Sequence, residues 1–246
     1  MIPRLTFSTL LVALTVLPLA IEADAAEVLR FEETFDGPAR FTSSTPLTRN
    51  GRDFFDIFTA AELAAATTNG GSDLRYTGND GSVFAAQDVR GATGSTSQFL
   101  LTDAFDLSGL VAGRLEIDLA QQDPETFTWD ASDYLRVEVE AGGVRKSLLF
   151  VENDGGTNND ISLDRDFSRD GDGLERIDST FRTFSTGFDP AELSSVEDVQ
   201  IRLTFSSGAN GEDIAVDNLR VFGTLIPEPT TGALLLVSGI ALLRRR

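Results

Sequence analysis

The sequence contains no cysteine and no histidine. Without cysteine, the chain has no disulfide framework, no thiolate metal site and no cysteine nucleophile. Without histidine, it lacks the commonest general base, the Ser-His-Asp triad and any zinc site that needs imidazole. An enzymatic site would therefore have to use carboxylates, tyrosine or the single lysine, Lys146.

Positive charge is also scarce. The chain has 20 basic and 39 acidic residues, which gives a formal net charge of −19. Such a field repels phosphate groups and disfavours nucleic acid as a partner. An acidic surface keeps a protein soluble and attracts divalent cations, and the simplest interpretation is a solvated surface suited to salt water.

Long hydrophobic runs occur only at the two ends of the chain. Residues 1–26 combine Arg4, a run of apolar residues and the small residues of "ADAA". This order is typical of a secretory signal peptide. The alternative, an uncleaved membrane anchor, is disfavoured because the run is short for a span and small residues follow it at once.

The C-terminal run, Gly232 to Leu243, has 12 residues, whereas a bilayer span needs about 20. It follows Pro227-Glu228-Pro229 and ends in Arg244, Arg245 and Arg246. By the positive-inside rule these arginines would stay on the cytoplasmic side. A short helix with a basic end is typical of a transient anchor, and a permanent C-terminal anchor is the alternative.

The order of these three features resembles the PEP-CTERM sorting tail of exosortase substrates. The resemblance covers residues 226–246 and implies that the tail holds an exported protein at the inner membrane until an exosortase processes it. Members of that family are surface or extracellular proteins of Gram-negative bacteria, often from species that make exopolysaccharide and biofilm. The resemblance implies a location and a membrane partner, and no chemistry for the rest of the chain.

Residues 27–225, between the two ends, show period-two alternation of apolar and polar residues. The pattern is clearest in "LEIDLA", "YLRVEVE" and "VQIRLTF", and each predicts a strand with one buried and one solvated face. Only Thr59–Thr67 resembles a helix. Shorter strands are predicted at Val28–Phe31, Phe54–Phe58, Val83–Ala85, Phe99–Leu101, Leu148–Val151 and Phe181–Phe184. Turn-rich segments separate them, and the whole predicts an all-β, antiparallel two-sheet sandwich of the jelly-roll type.

One predicted strand changes the parity of its apolar residues. In "EDIAVDNLRVFG", Ile214 and Val216 share one parity, and Leu219 and Val221 share the other. A regular strand would expose half of this set. We therefore expect a β-bulge or kink at Asp217-Asn218.

Four segments, "ETFDG", "WDASDYLRVEVEAGG", "DFSRDGDG" and "EDIAVDNLRVFG", are similar to secreted bacterial jelly-roll modules of the carbohydrate-binding and MAM-like kind. In carbohydrate-binding jelly rolls, an acidic residue near the first strand and an aspartate in the last strand commonly share a structural Ca²⁺. The resemblance implies Asp36 and Asp217 as ligands, with Glu33 and Asp213 as further candidates. The alternative is that Asp36 caps a turn and that Asp217 is a solvent-facing bulge residue.

A second calcium candidate lies in "DRDFSRDGDGLE". Five of its residues occupy ligand positions of an EF-hand-like loop: Asp164, Asp166, Ser168, Asp172 and Glu175. Arg169 stands where that loop needs glycine, and no flanking helix is visible, which favours an ordinary acidic loop.

Three functions remain open. The first is a non-catalytic surface or matrix protein that binds polysaccharide, for which Trp129, Tyr134 and Tyr76 are the aromatic residues available for stacking, although a lone tryptophan is more often a packing residue. The second is a secreted glycoside hydrolase that uses two carboxylates. Its candidate pairs, Asp123 with Glu125 or Asp130 with Asp133, are more simply turn residues. The third is a permanently anchored structural envelope protein.

Overall fold

A computed structural model describes residues 26–66, 76–79, 81–122, 129–153, 161–167, 175–208 and 212–225. Several predictions from the sequence therefore lie outside the described residues. They are the signal peptide up to residue 25, the tail with its Pro227, Glu228, Pro229 and Arg244 to Arg246, the pair Asp123 and Glu125, and Ser168, Arg169 and Asp172. Within the described ranges, no helix has both the length and the apolar character needed to cross a membrane.

The described residues form fourteen strands, two short α-helices and one 3-10 helix, Pro190–Glu192. The strands are β1 (Glu27–Glu33), β2 (Phe41–Ser43), β3 (Thr48–Asn50), β4 (Asp53–Thr59), β5 (Ser82–Gln87), β6 (Ser97–Thr102), β7 (Leu110–Ala120), β8 (Tyr134–Ala141), β9 (Val144–Asn153), β10 (Ile161–Asp164), β11 (Glu175–Ile177), β12 (Arg182–Phe188), β13 (Gln200–Ser206) and β14 (Asp213–Leu225); the helices are α1 (Ala60–Ala65) and α2 (Val89–Thr93).

The strands pair in two seven-stranded antiparallel sheets. The first sheet has the order β12-β7-β14-β5-β4-β3, and β1 also pairs with β14. The second sheet has the order β11-β10-β9-β8-β13-β6-β2. The predicted all-β, antiparallel two-sheet sandwich is confirmed.

The core lies between the two sheets and follows from the alternation in the sequence. Leu115, Ile117 and Leu119 of β7 are buried in the same cluster as residues of β8 and β13 from the second sheet. Phe84 of β5 connects the two sheets, because its ring lies 4.8 Å from that of Phe55 in the first sheet and 5.1 Å from that of Phe205 in the second. Phenylalanine side chains therefore fill much of the space between the sheets.

The predicted bulge in β14 is confirmed. The register of β14 against β7 shifts between Asp217 and Arg220, and Asn218 has a φ of 47°. Asparagine adopts this left-handed conformation more readily than most residues. As a result, Val216 before the bulge and Leu219 after it both enter the core.

A second, smaller apolar cluster covers the outer face of the first sheet. Helix α1, which the sequence predicted, begins with a capping box in which Thr59 and Glu62 bond reciprocally. Its Leu63 packs on Phe54 and Phe58 of β4. The helix is therefore held by both its cap and the side chains beneath it.

The first and last strands are neighbours in the first sheet. Glu27 of β1 lies opposite Thr224 of β14, and the Leu225 amide donates to the Ala26 carbonyl at 3.1 Å. Both ends of residues 26–225 therefore lie at the same end of the β1–β14 pair.

Candidate ligand-binding face and acidic sites

The outer face of the second sheet carries aromatic rings and arginines side by side. Because alternate residues of β6, β8 and β13 enter the core, the residues between them point to the other side. We call the resulting group the aromatic–arginine face; it consists of Phe99 of β6, Tyr134 and Arg136 of β8, Phe150 of β9 and Arg202 of β13.

The rings and guanidinium groups on this face are in direct contact. The Tyr134 and Phe150 rings are stacked with centroids 5.6 Å apart and an interplanar angle of 28°. Phe150 is itself only 1% exposed, so it supports the Tyr134 ring and offers no surface of its own to a ligand. The Arg136 guanidinium carbon lies 5.4 Å from the Tyr134 ring centroid and 5.2 Å from that of Phe150. On the neighbouring strands, the Arg202 guanidinium carbon lies 3.3 Å from the Phe99 ring centroid. Such cation–π contacts fix the arginines in place.

This face combines the chemical groups that a hydroxyl-rich ligand needs. Ring faces pack against apolar C–H surfaces, and each guanidinium offers five N–H donors in a fixed geometry. Glu138 lies opposite Arg202 in the sheet and is buried beside it. From β6 to β9 the face spans three strand intervals, or roughly 14 Å.

Of the three aromatic residues proposed for sugar stacking, only Tyr134 lies on this face. Trp129 is 1% exposed and belongs to the core between the sheets. The prediction that Trp129 forms a stacking surface is therefore wrong, because a ring enclosed on both sides offers no face to a ligand. Tyr76 packs on Phe181 of the small cluster and donates its hydroxyl to Asp213.

The β14 bulge brings three carboxylates into one region. Asp217 is buried, and burial raises its pKa to about 7, with the nearby charges of Asp118 and Asp36 adding to the shift. Asp118 lies directly opposite Asp217 on β7 and accepts hydrogen bonds from Thr183 Oγ1 at 2.5 Å and Asn218 Nδ2 at 2.8 Å. Asp36 is near enough for its charge to act on Asp217, while its Oδ1 accepts a hydrogen bond from the Ser82 amide at 2.6 Å. Among the described residues, Asp36, Asp118 and Asp217 do not converge to within 4.8 Å of one another. Sequence reasoning missed Asp118, although alternation already placed it on the outer face.

Glu33 and Asp213, the two further candidates, have other partners. Glu33 is buried, and its two oxygens accept hydrogen bonds from the Phe35 amide at 2.6 Å and the Arg40 amide at 2.7 Å. Asp213 lies four residues before Asp217 in the same strand, a separation of roughly 13 Å that one ion does not bridge. Asp213 accepts a hydrogen bond from the Gln122 amide at 3.1 Å, and burial raises its pKa to about 7.

The described part of the EF-hand-like loop forms a capped turn. Asp164 Oδ1 accepts from the amides of Asp166 at 2.9 Å and Phe167 at 3.0 Å. Glu175 forms an ion pair with Arg165 at 2.8 Å. These contacts fit the interpretation as an acidic loop, in which the first aspartate turns the chain.

Asp130 and Asp133 occupy a turn before β8, as the simpler interpretation predicted. Asp130 Oδ1 accepts from the Ser132 amide at 2.6 Å, and the Asp130 amide donates to Asp133 Oδ2 at 2.7 Å. The fold adds Glu212, whose carboxylate oxygen lies within 4.8 Å of one from each aspartate. Sequence reasoning missed Glu212 because no local pattern links it to a turn so far away in the chain.

Comparison with known proteins gives likeness in fold only. No family model matches the chain, and no curated protein matches its sequence. In structure it is similar to a cleaved adhesin domain of Lys-gingipain from Porphyromonas gingivalis, with 14% identity, a TM-score of 0.45, and coverage of 78% of this chain and 96% of that one. A Stig cyclase from Fischerella sp. TAU shows 15% identity and a TM-score of 0.43, covering 83% and 94% of the two chains. A carbohydrate-binding module that recognises mannan shows 15% identity and a TM-score of 0.36, covering 81% and 99%. With TM-scores below 0.5 and identities of 14–15%, these likenesses support no conclusion about what this chain binds.

Proposed function

We propose that this chain is an exported, non-catalytic β-sandwich protein of the cell surface or extracellular matrix that binds polysaccharide on its aromatic–arginine face. The observation that carries the proposal is the adjacency of stacked rings and fixed guanidinium groups on the outer side of one sheet. Phe99 and Tyr134 are each partly exposed, so their rings remain accessible to a ligand laid across the strands.

The charge of the protein narrows the ligand class. A net charge of −19 repels strongly acidic polymers at long range. Arg136 and Arg202 are engaged with rings and carboxylates, so their N–H groups suit hydroxyls better than a dense array of anions. We therefore expect neutral or weakly acidic polysaccharides.

Affinity gel electrophoresis of the purified protein through polysaccharide-containing gels tests this function. Replacing Tyr134 or Phe99 by alanine should weaken retardation about tenfold, because a lost aromatic contact of about 1.4 kcal/mol corresponds to that factor. The matched control is Phe222→Ala. Phe222 lies on the outer face of the first sheet with the Arg114 guanidinium carbon 4.3 Å from its ring centroid, so the control removes a similar contact from the opposite side of the sandwich.

Two results would reject the binding face. Unretarded migration of the wild-type protein through all matrix polysaccharides would remove polysaccharide binding altogether. Equal retardation of wild type, Tyr134→Ala and Phe99→Ala, with loss in Phe222→Ala, would move the site to the first sheet. Far-ultraviolet circular dichroism of each variant separates lost binding from lost folding.

We also propose that the tail is the sorting signal of an exosortase substrate. The support is the order Pro227-Glu228-Pro229, apolar run and terminal arginines in the sequence. Mass spectrometry of the surface form should find a C-terminus near the Pro-Glu-Pro motif. A mature protein that still ends at Arg246 would instead support permanent anchoring.

A structural calcium ion at the β14 bulge is a further proposal, with Asp36 and Asp217 as ligands and Asp118 beside them. Its support is the accumulation of three carboxylates where one of them is buried, since such groups need a cation or a proton. Calcium should raise the melting temperature of wild type, and Asp217→Asn should remove the part of that rise that comes from this site. An identical calcium response in Asp217→Asn would exclude the ion at the bulge.

A further inference from the structure

The two partly exposed rings of the aromatic–arginine face lie on a diagonal across the second sheet. Phe99 of β6 lies opposite Thr204 of β13, and Thr204 lies opposite Arg136 of β8. Tyr134 lies two residues before Arg136 on the same face of β8. Two strand spacings of about 4.8 Å and two residues of about 3.4 Å separate the Cα atoms of Phe99 and Tyr134 by roughly 12 Å. A ligand that contacts both rings must therefore extend over two strand intervals.

Each of these rings is supported from one side. The Tyr134 ring stacks on the buried ring of Phe150, and the Phe99 ring has the Arg202 guanidinium carbon 3.3 Å from its centroid. Phe99 and Tyr134 both remain partly exposed, so each ring keeps surface for a ligand. Because their neighbours already hold these rings in place, binding costs little side-chain entropy. The face therefore has two separate contact points for a ligand.

The surface between the two rings consists of small side chains with hydroxyl groups. Strand β13 runs between them, and its partly exposed Thr204 and Ser206 alternate with buried residues. Ser206 lies opposite Tyr134 on β8 and opposite Ser97 on β6. Small side chains leave room for a ligand above them, and a hydroxyl group both donates and accepts hydrogen bonds. A chain of sugars can therefore pass from one ring to the other over this part of the sheet.

The two contact points have the same chemistry. At each of them a guanidinium group accompanies an aromatic ring, Arg202 with Phe99 and Arg136 with Tyr134. A polymer of similar units presents the same hydroxyl groups and C–H surfaces at regular intervals. Two alike contact points on one face therefore suit two sugars of one chain better than they suit a single sugar.

The inference that follows rests on the polysaccharide binding proposed above. We infer that the ligand is a linear stretch of at least three sugars that crosses β13 diagonally, with one sugar on Phe99, another on Tyr134 and the intervening sugar above Thr204. Once the sugar at one ring is bound, the second ring meets its sugar within the same complex, so the two contacts reinforce each other. A disaccharide is too short to contact both positions and loses this gain.

A length series of oligosaccharides tests this path. The purified protein is run through gels that contain hydroxyethylcellulose, xylan, glucomannan or dextran, and oligosaccharides of two to six sugars are prepared from the polysaccharide that retards it most. In calorimetric titration the hexasaccharide should bind about tenfold more tightly than the disaccharide, because it gains the second aromatic contact. In Phe99→Ala the two affinities should become equal, since one ring remains.

A second variant blocks the path and keeps both rings. Thr204→Gln puts a longer side chain between Phe99 and Tyr134, and it should weaken hexasaccharide binding about tenfold while it changes disaccharide binding much less. The matched control is Thr224→Gln on β14 of the first sheet, where the threonine is likewise partly exposed. This control should leave both affinities unchanged, and far-ultraviolet circular dichroism checks that each variant is folded.

The outcomes separate the path from the function on which it rests. Equal affinities of the wild-type protein for disaccharide and hexasaccharide, or undiminished hexasaccharide binding by Thr204→Gln, would overturn the diagonal path and leave polysaccharide binding in place. Absence of retardation in every gel would overturn both. The length series uses the wild-type protein, so its result does not depend on the folding of any variant.

Discussion

Replacing Glu33 by glutamine tests which role this buried carboxylate has. Its two oxygens accept hydrogen bonds from the amides of Phe35 and Arg40. These bonds fix the chain around Asp36. Glutamine keeps one carbonyl oxygen and puts an NH₂ group, a donor, opposite the second amide. The substitution therefore removes one charge-assisted hydrogen bond and leaves one of the two amides, that of buried Phe35 or of exposed Arg40, without its acceptor.

The expected loss follows from these contacts. A hydrogen bond to a charged group contributes about 1.5–3 kcal/mol, and an unsatisfied buried group costs a similar amount. We therefore expect the free energy of unfolding to fall by about 2–3 kcal/mol in Glu33→Gln, and by about 3–6 kcal/mol in Glu33→Ala, which loses both bonds. For a domain of this size the first value corresponds to a melting temperature lower by about 4–12 °C.

Thermal and denaturant unfolding in EGTA and again in excess calcium provide the assay. If Glu33 fixes the chain through the two amides, the loss is the same in both conditions. If Glu33 is a calcium ligand, as the resemblance to carbohydrate-binding jelly rolls implied, the loss grows when calcium is present. A change below about 0.5 kcal/mol in EGTA, the range of ordinary surface substitutions, would refute the reasoning.

Three further predictions concern packing and ionisation. A Cβ at Gly113 would overlap the buried ring of Phe188, so Gly113→Ala should lower the free energy of unfolding by about 1–3 kcal/mol. The control is Gly187→Ala, where the nearest atom to an added Cβ is 3.8 Å away, and it should change the free energy of unfolding little. Equal effects of the two substitutions would contradict the clash. Phe84→Ala should cost about 3–5 kcal/mol in denaturant unfolding, and a loss below about 1 kcal/mol would show that its ring does not join the sheets. Burial raises the pKa of Asp213 to about 7, so the folded state holds this proton up to a higher pH than the unfolded chain does. The stability that the proton contributes is therefore lost as the pH rises from about 4 to about 7. Asp213→Asn should flatten that decline in EGTA, and an equally steep profile in the variant would count against the shift.

Patterns confined to one strand were readable from the sequence. Alternation predicted β7, β8 and β13 with the correct buried faces, and the parity change in "EDIAVDNLRVFG" predicted the bulge that the structure has at Asp217. The segment Thr59–Thr67 was also predicted to be helical, and α1 occupies Ala60–Ala65 within it. In these places local geometry and burial agree, so sequence spacing alone carries the information.

Other elements left no comparable signal. All four residues of β10 are buried, so it shows no alternation, while β2, β3 and β11 have three residues each, too few to establish a period. Helix α2 has five residues and depends on the side chain of Asp88, which accepts from the Gly91 amide. These elements form because neighbouring strands supply their partners.

The candidate sites divide in the same way. The structure has Tyr134 on the outer face of β8 and Asp217 at the β14 bulge, the positions that the strand patterns predicted. Trp129 was misjudged because it lies outside any strand, where a residue is ordinarily exposed, yet it enters the core. Glu212 lies near Asp133 because β8 pairs with β13 and Glu212 immediately precedes β14, and that proximity exists only in the folded chain.

Because Ala26 and Leu225 are adjacent, the response of residues 26–225 to mechanical force depends on where the force is applied. Tension applied through both ends pulls across the β1–β14 ladder, so its hydrogen bonds break one after another, beginning at the Leu225 amide. A pull through Leu225 against a ligand on the second sheet instead loads β14 between β7 on one side and β5 and β1 on the other, where many bonds share the force. We therefore expect the fold to unfold at low force when it is pulled at Ala26 and Leu225. It should resist a higher force when it is pulled between Leu225 and a polymer bound to the second sheet.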